Sequence, residues 1–186
     1  MIASQDRIGW IGASDTNMVV GNWETASFRK WWLVKLGLAE SNFRNKEMLA
    51  GTFYEHRILE HLGIKKMDRQ IKFRSLRLRV NLDGESRGMI HEVKTHKDEV
   101  FKVSKRYWQQ CQVEAFAAEK PVEIVAYRLT EEDYGNYFND IDPDRISRHF
   151  IQYDKEWIEN VYLPRLKHLA YCLKKRRFPC ESDVKT

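Results

Sequence analysis

The sequence predicts a single α/β domain in which a central mixed β-sheet is flanked by helices. The predicted elements are helices, a β-hairpin, a helix, two strands and a last helix, which suits helices packed on both faces of one sheet. A length of 186 residues fits one domain, and an apolar content of 42% is enough for a hydrophobic core. No repeat or low-complexity linker divides the chain. The expected parts are N-terminal helices (1–63), the sheet with a glutamine-bearing helix (64–153), a C-terminal helix (154–177) and a tail (178–186).

A β-hairpin is predicted over Leu76–Lys97. In its first half apolar residues alternate with arginine and asparagine, the period of a half-buried strand. Gly84 and Gly88 bracket a tight turn, and a second strand over roughly Met89–Thr95 returns beside the first. The apolar residues of the first strand are Leu76, Leu78, Val80 and Leu82.

Charged residues of this hairpin can form a metal site. Asp83 ends the first strand, and Glu92-Val93-Lys94 lies on the second. Residues two apart in a strand share a face, so Glu92 and Lys94 point the same way, and the hairpin can bring Asp83 beside them. Two carboxylates can hold Mg²⁺, and a lysine can stabilise developing charge or orient a water. An exposed cross-strand charge pair beside an ordinary Asp-Gly turn is the alternative.

The predicted helix Lys46–Leu62 contains a carboxylate on its expected buried face. Its stripe follows helical spacing, and Gly63 ends the helix. Glu55 lies in the middle of that stripe, where a bare carboxylate is costly unless it is paired, neutral or bound to a metal. A buried ion pair and a metal site are both open, and the hairpin favours the metal site. The stripe consists of Met48, Thr52, Leu59 and Leu62.

Two further segments contain candidate binding residues. Near the N-terminus, Ser14 is the predicted N-cap of a short helix, and Arg7 lies close to it in sequence. A helix N-terminus with a serine and an arginine can bind phosphate, although an ordinary capped turn is the simpler interpretation. In the predicted helix Val103–Ala118, Gln110 and Gln112 lie about 200° apart, so only one of them can face a given site.

The remaining elements complete the sheet and its helices. A helix over Thr25–Leu36, capped by Thr25, is predicted near the N-terminus. The last helix is expected over Lys155–Arg177, capped by Asp154, with a kink or break near Pro164. The predicted strands are Val122–Leu129 and Ile146–Tyr153, joined by a polar loop over Thr130–Asp144.

Composition restricts the partners and the compartment. The net charge of +5, from 32 basic and 27 acidic residues, suits an acidic polymer, and basic residues are concentrated between 64 and 79. Three cysteines without a C-x-x-C pair argue against a disulfide framework, a zinc ribbon or an iron–sulfur cluster, and predict a reduced, cytoplasmic location. The sequence has no leader-like start and no long apolar run, so no membrane contact is expected.

Five segments of the sequence match a known pattern in order and spacing. They are Arg7-Ile8-Gly9-Trp10-Ile11-Gly12-Ala13-Ser14, Gly51-Thr52-Phe53-Tyr54-Glu55, Asp83-Gly84, Glu92-Val93-Lys94 and Tyr107-Trp108-Gln109-Gln110-Cys111-Gln112. Together they resemble the PD-(D/E)XK nuclease superfamily, and within it the lambda-exonuclease/YqaJ family of phage recombination nucleases. The resemblance covers most of the chain. The chain departs from the pattern in being short, and in having Leu82 where the superfamily has a proline.

The resemblance implies a restriction-endonuclease-like core and a metal site within it. Asp83, Glu92 and the backbone carbonyl of Val93 would hold Mg²⁺, for which Mn²⁺ can substitute. Glu55 would bind a second metal, directly or through water. Lys94 would orient or deprotonate the attacking water.

The resemblance also implies a substrate. Its glutamine motif selects Gln110 over Gln112 as the active-site residue, and Arg7 and Ser14 would bind the 5′-phosphate of DNA. The implied activity is exonucleolytic digestion of one strand of linear duplex DNA from a 5′-phosphorylated end, which gives single strands for phage-type recombination. Expected partners are linear duplex DNA, a single-strand annealing protein and further copies of the chain in a ring trimer, in the cytoplasm of a bacterial host.

Two other functions remain open at this point. One is an endonuclease of the same fold, and the other is a DNA-binding protein without catalysis. The intact set of Asp83, Glu92 and Lys94 argues against the second, because a binding module does not need that trio. An iron–sulfur nuclease of the same superfamily is disfavoured by the cysteine count.

Overall fold

The computed structural model describes residues 8–40 and 46–184, with the side chains of all of these except 46–48. Within these ranges a six-stranded mixed sheet lies between helices, which confirms the predicted α/β class. The strands are β1 (Ile11–Gly12), β2 (Lys66–Phe73), β3 (Leu78–Glu85), β4 (Ile90–His96), β5 (Val122–Arg128) and β6 (Ile146–Ile151). The α-helices are α1 (Thr16–Val20), α2 (Ala26–Lys35), α3 (Lys46–His61), α4 (Lys105–Ala118), α5 (Glu131–Gly135), α6 (Lys155–Trp157) and α7 (Leu163–Lys174).

The sheet contains both parallel and antiparallel pairs. β4 and β5 pair in parallel along their whole length, and β1 pairs in parallel with the start of β3. The pairs β2–β3, β3–β4 and β5–β6 are antiparallel. The connection from β4 to β5 is made by α4, because two parallel neighbours need a crossover.

Hydrophobic cores lie on both faces of the sheet. The core on the first face contains the buried residues of α1, α2, α4 and α7, with Trp32 and Leu166 fully enclosed. The core on the second face is built by α3 and α5 against β4 and β5, through residues such as Tyr54, Ile58 and Val125. Because both faces are covered, β3 is buried at most of its positions, whereas the apolar alternation of the sequence predicts a half-buried strand.

The predicted hairpin is confirmed, with a shorter turn than expected. β3 continues through Gly84 and Glu85, and the turn closes where Ser86 N donates to the Met89 carbonyl at 2.9 Å. The basic segment before the hairpin, for which no element is predicted, forms β2. Exposed and half-buried residues alternate along β2. Met67 packs against the core on the second face, whereas Ile71 and Phe73 pack against the core on the first face.

The predicted cap at Ser14 is wrong. Ser14 lies inside a 3₁₀ turn, Ala13–Asp15, and the residue before α1 is Asp15. The carboxylate of Asp15 accepts a hydrogen bond from Gly12 N at 2.8 Å, so the aspartate closes this turn. The other predicted caps are confirmed: Thr25 accepts from Phe28 N, and Asp154 accepts from Trp157 N.

The buried stripe of α3 is rotated from the predicted one. Thr52 is exposed, and the side chain of Met48 lies outside the described residues. The buried residues are Ala50, Tyr54, Ile58 and Leu59. Tyr54 can be buried because its hydroxyl donates to Asp133 at 3.0 Å, a partner that an apolar pattern does not reveal.

The C-terminal third follows the prediction with one difference, since the predicted loop 130–144 contains the short helix α5. The predicted break near Pro164 is confirmed, because a π-helical turn, Ile158–Tyr162, interrupts the last helix there. Proline has no N–H to donate to the carbonyl four residues earlier, and a widened turn accommodates this loss. In the predicted tail, Glu181 accepts from Trp23 N at 2.7 Å. None of the helices within the described ranges has the length and apolar character needed to cross a membrane.

Candidate active site

One edge of β3 is open at its centre. β2 pairs with the other edge from Leu78 to Glu85, except at Asp83. On the open edge, β1 pairs only with Leu78 and Arg79, and β4 pairs only with Gly84 and Glu85. Residues 80–83 therefore have no strand neighbour on this edge among the described residues, and side chains from both layers of helices can approach the opening.

At this opening, the side chains of β2 and β3 switch from one face of the sheet to the other. Leu82 packs in the core beside α4, whereas a Cβ atom on Gly84 would lie 2.7 Å from Leu59 on α3. Residues two apart normally share a face, so the alternation breaks at Asp83. Opposite it, Asp68 has a φ of 55°, and these two aspartates form no ladder pair. Asp83 therefore leaves the regular alternation of the strand.

The carboxylate of Asp83 joins β3 to β4. Its Oδ2 atom accepts a hydrogen bond from Val93 N at 2.9 Å. The β3–β4 ladder ends just before, at the pair Gly84–His91, so the side chain supplies the acceptor where the backbones have separated. This bond holds Asp83 next to the residues on either side of Val93.

Glu92 and Lys94 point toward α4, and Val93 packs on the α3 side, as predicted for alternate residues of a strand. Glu92 Oε1 accepts from Lys94 Nζ and from Gln110 Nε2, both at 2.5 Å. Gln110 Oε1 also faces Lys94 Nζ, at 3.4 Å. Because Glu92 is only 2% exposed, the alternative of an exposed cross-strand charge pair is wrong.

A further carboxylate, which sequence reasoning missed, lies behind Glu92. Glu114 on α4 is fully buried, and its Oε1 accepts from Gln110 Nε2 at 2.8 Å. The charge of Glu92, after burial, raises the pKa of Glu114. Glu114 follows Gln110 by four residues, and this spacing puts the two on one helix face. This spacing is the feature of the sequence that could have predicted the position of Glu114. It is a weak indication, because a glutamate on a helix is usually exposed.

The helix α3 brings Glu55 to the same opening. Burial, and after it the charge of Glu92, raise the pKa of Glu55 to about 7. Its carboxylate also lies within 4.8 Å of ligand atoms of His56 and Asp68, which pair with each other at 2.9 Å. After burial, the residues that raise the pKa of Glu55 most are acidic. A metal site therefore explains the position of Glu55 better than a buried ion pair does.

Carboxyl groups outnumber ammonium groups in this cluster. Burial and the charge of Glu92 raise the pKa of Asp83 well above its usual value, and the same two causes raise the pKa of Glu114. Burial acts to lower the pKa of Lys94, but the charges of Glu92 and Asp83 outweigh it and raise this pKa, so the ammonium group stays charged. The raised pKa values mean that the four carboxyl groups are not all ionised without a cation, and a bound divalent cation would stabilise their ionised forms.

The oxygen atoms of the cluster fit such a cation. Glu92 Oε2 and Glu114 Oε2 are buried and have no hydrogen-bond partner within the described part of the chain. Buried polar atoms almost always have a partner. Mg²⁺ and Mn²⁺ take carboxylate oxygen ligands, and Asp83, Glu92 and Glu55 can supply them. Glu92 Oε2 is the best candidate, because Lys94 and Gln110 both occupy the other oxygen of this residue.

A small polar pocket lies along β3 from the carboxylates. It has a volume of about 80 Å³. Arg79 is 9% exposed and has no acceptor or carboxylate partner in the ranges 8–40 and 46–184. Lys35 is paired with Asp15 at 2.6 Å. Arg7 lies outside the described residues, so its predicted position beside Ser14 stays a prediction. The pocket is lined by Trp10, Gly12, Ser14, Asp15, Lys35, Arg79 and Asn81.

Gln112 faces away from the carboxylates. Its Nε2 donates to the Gln152 carbonyl at 2.8 Å, and its Oε1 accepts from Asp154 N at 2.7 Å. Gln112 therefore joins α4 to the segment that leads into α6. Of the two candidate glutamines, Gln110 is the one that contacts Glu92.

The fold is that of known exonucleases. The structure is similar to that of an alkaline exonuclease (LHK-Exo) from Laribacter hongkongensis, with a TM-score of 0.66 and 16% identity over 92% of this chain and 91% of that one. It is also similar to a phage-related exonuclease from Haemophilus somnus 129PT, with a TM-score of 0.60 and 17% identity over 92% of this chain and 95% of that one. No protein-family model and no curated protein matches the sequence. The likeness agrees with the resemblance to lambda-exonuclease-like PD-(D/E)XK nucleases.

Proposed function

We propose that this protein is a metal-dependent deoxyribonuclease that digests linear duplex DNA from a 5′-phosphorylated end. The observation that supports it most is the convergence of Asp83, the buried Glu92 and Lys94 at the opening of β3, with Gln110 bonded to two of them. A structural ion pair would need one carboxylate and one ammonium group. The additional carboxylates have a use if the site binds a cation and a phosphodiester.

Each residue of the cluster has a role in this proposal. Asp83 and Glu92, with the Val93 carbonyl and Glu55, would hold Mg²⁺ or Mn²⁺. Such a cation, when bound, supplies a water of lowered pKa and offsets charge on the phosphoryl group. Lys94 stays protonated between the carboxylates, so it orients the water or donates to the phosphoryl oxygen. Gln110 keeps Lys94 and Glu92 in position.

The polar pocket favours a nuclease that starts at a strand end. Asn81 and Arg79 precede Asp83 by two and four residues on one strand, so the pocket begins about 7 to 13 Å from the carboxylates. This distance is on the scale of one or two nucleotides. A terminal phosphate bound by Ser14, Arg79 and Arg7 would bring a phosphodiester bond near the terminus to Asp83. Digestion would therefore depend on an end.

The biological setting remains part of the proposal. An enzyme of this type would make single strands for phage-type recombination in the bacterial cytoplasm, with a single-strand annealing protein as partner. A ring of three copies enclosing the duplex would keep the enzyme on its substrate. These points rest on the family resemblance described above.

The role of Lys94 tests the proposal. The wild-type protein should digest end-labelled linear duplex DNA when Mg²⁺ is present, and Lys94→Ala should reduce the rate at least about 100-fold while DNA affinity changes little. Lys102→Ala is the matched control, since Lys102 is exposed and lies outside the cluster. Equal rates for wild type and Lys94→Ala would reject the assigned role.

The substrate form tests the requirement for an end. Linear duplex DNA should be digested, and covalently closed circular duplex should stay intact under the same conditions. Cleavage of the closed circle at a similar rate would instead identify an endonuclease of this fold. Binding without cleavage of either form would favour a non-catalytic DNA-binding protein.

A further inference from the structure

The side-chain amide of Gln110 is held by carboxylates on two elements. Its Nε2 donates to Glu92 Oε1 on β4 at 2.5 Å and to Glu114 Oε1 on α4 at 2.8 Å. An amide nitrogen has two hydrogen atoms, so these two bonds use both of them. The orientation of the amide group is then fixed, and its oxygen faces Lys94 Nζ at 3.4 Å.

Glu114 lies deeper than the residues proposed to meet the metal and the substrate. It is fully buried, whereas Lys94 and Asp83 are partly exposed. Glu114 bonds to Gln110, and Gln110 bonds to Glu92 and faces Lys94, so Glu114 can affect the reaction through these neighbours.

We propose that Glu114 is a positioning residue, which fixes the amide of Gln110 so that its oxygen faces Lys94 and its nitrogen faces Glu92. A single acceptor at Glu92 would leave the second N–H of a buried amide unpaired, which is unfavourable. Rotation of the amide would then expose Lys94 to the N–H₂ group instead of the oxygen. With Glu114 in place, Lys94 and Glu92 keep one relative geometry. This inference rests on the proposed nuclease function for its kinetic consequence.

Two variants of Glu114 separate its acceptor role from its bulk. Glu114→Gln keeps an oxygen that can accept from Gln110, and Glu114→Met has a similar length without that oxygen. We expect Glu114→Met to lower kcat about tenfold with KM and DNA affinity unchanged, and Glu114→Gln to restore most of the rate. Gln112→Met is the matched structural control, since it removes a buried glutamine of the same helix that bonds elsewhere. It should lower Tm and leave kcat unchanged.

A double-mutant cycle tests whether Glu114 acts through Gln110. In a Gln110→Met background, Glu114→Met should change kcat less than about twofold, because the group it positions is already gone. A tenfold loss in both backgrounds would contradict the proposal, and so would a Glu114→Met variant with wild-type kcat. A Glu114→Gln variant as slow as Glu114→Met would also contradict it.

Proton NMR of the metal-free protein gives a test that does not depend on activity. The two side-chain amide protons of Gln110, identified by their absence in Gln110→Met, should exchange slowly with water in wild type and Glu114→Gln. At least one of them should exchange about tenfold faster or more in Glu114→Met. Equal exchange in all three proteins would overturn the inference. If the wild type digests no DNA, the proposed function fails, and this exchange measurement still decides whether Glu114 holds Gln110.

Discussion

Asp83 and Glu92 show what single residues of this sequence reveal and what they do not. Their spacing around the hairpin, and the position of Lys94 two residues after Glu92, are enough to predict that the three lie together. The spacing does not predict how Asp83 reaches them, which depends on a break in the alternation of β3 and on the bond to Val93 N. Likewise, the sequence does not predict that Glu114 is buried, because burial depends on which face of the helix packs against the sheet.

Glu85 makes the stability of the protein sensitive to acid. Hydrogen bonds from Lys120 and Arg69, and a further one from Lys66, lower the pKa of Glu85 from 4.5 to about 2. A carboxylate with a lowered pKa stabilises the folded state above its unfolded pKa, and this contribution is lost as pH falls from about 4.5 toward 2. Two of its partners are substantially exposed, so the contribution should be about 1–2 kcal/mol.

Denaturant unfolding at pH 7 and at pH 3 would measure this effect. The free energy of unfolding should fall less between these pH values for Glu85→Gln than for the wild type. The difference should be absent for Glu131→Gln, which alters an exposed carboxylate. The same pH dependence in wild type and Glu85→Gln would show that this carboxylate does not contribute as described.

The polar pocket predicts a dependence on the terminal phosphate. Wild-type protein should digest 5′-phosphorylated duplex about tenfold faster or more than 5′-hydroxyl duplex, because a buried guanidinium favours a phosphate over a neutral group. Arg79→Gln and Ser14→Ala should each reduce this ratio, and Arg87→Gln, in the exposed turn of the hairpin, should not. Comparison of initial rates on the two substrates provides the measurement. A ratio of one for the wild type would remove the pocket from the mechanism.

At the scale of elements, the long periodic segments were predictable and the special junctions were not. The helices α2, α3 and α4 and the strands β3 to β6 follow hydrophobic spacing, capping residues and glycine stops. β2 was missed because five of its eight residues are charged or polar, and the 3₁₀ turn at Ser14 was missed because Asp15 supplies the capping carboxylate. The exchange of faces at Asp68 and Asp83 follows from tertiary packing, which no local pattern contains.

The close approach of α3 to β3 predicts a strong effect of substitution at Gly84. A Cβ atom there would lie 2.7 Å from Leu59 Cδ2 and 3.2 Å from Ile64 Cγ2. Leu59 is buried and cannot move away freely, so Gly84→Ala should lower the free energy of unfolding by about 1–3 kcal/mol. It should also reduce activity, because α3 positions Glu55. Gly88→Ala is the control, since no heavy atom lies within 4 Å of its Cβ position.

Denaturant unfolding and initial rates of digestion would compare these two glycine variants. Gly88→Ala should behave like the wild type in both measurements. Equal stability of Gly84→Ala and the wild type would mean that α3 does not pack against β3 as closely as described.

At the scale of the whole molecule, the order of helices and strands along the chain predicts the α/β class. The helices that cover both faces of the sheet confirm it. The net charge of the protein is +5, and β2 is a basic strand, so we expect the protein to bind a polyanion. The carboxylate cluster repels a polyanion locally, and a bound metal ion would reduce this repulsion. The residues Lys65, Lys72 and Arg74 are exposed and lie in or beside β2, so they are the candidates for contact with DNA phosphates.

The salt dependence of DNA binding tests this expectation. In Lys65→Gln/Lys72→Gln/Arg74→Gln, the slope of log Kd against log salt concentration should be smaller than in wild type by about 2–3. A control triple variant, Arg29→Gln/Lys30→Gln/Lys167→Gln, removes the same charge from α2 and α7. Equal slopes for the two triple variants would show that β2 does not face the DNA.

The central claim is that Asp83 and Glu92 hold one divalent ion, and a Mn²⁺ titration followed by calorimetry tests it most directly. Wild-type protein should bind Mn²⁺ with a Kd below millimolar, and Asp83→Asn and Glu92→Gln should each weaken binding about tenfold or more, because each removes a charged ligand. Asp140→Asn, an exposed acidic control, should bind like the wild type. No heat of binding at millimolar Mn²⁺, or equal affinity in all four proteins, would contradict the account.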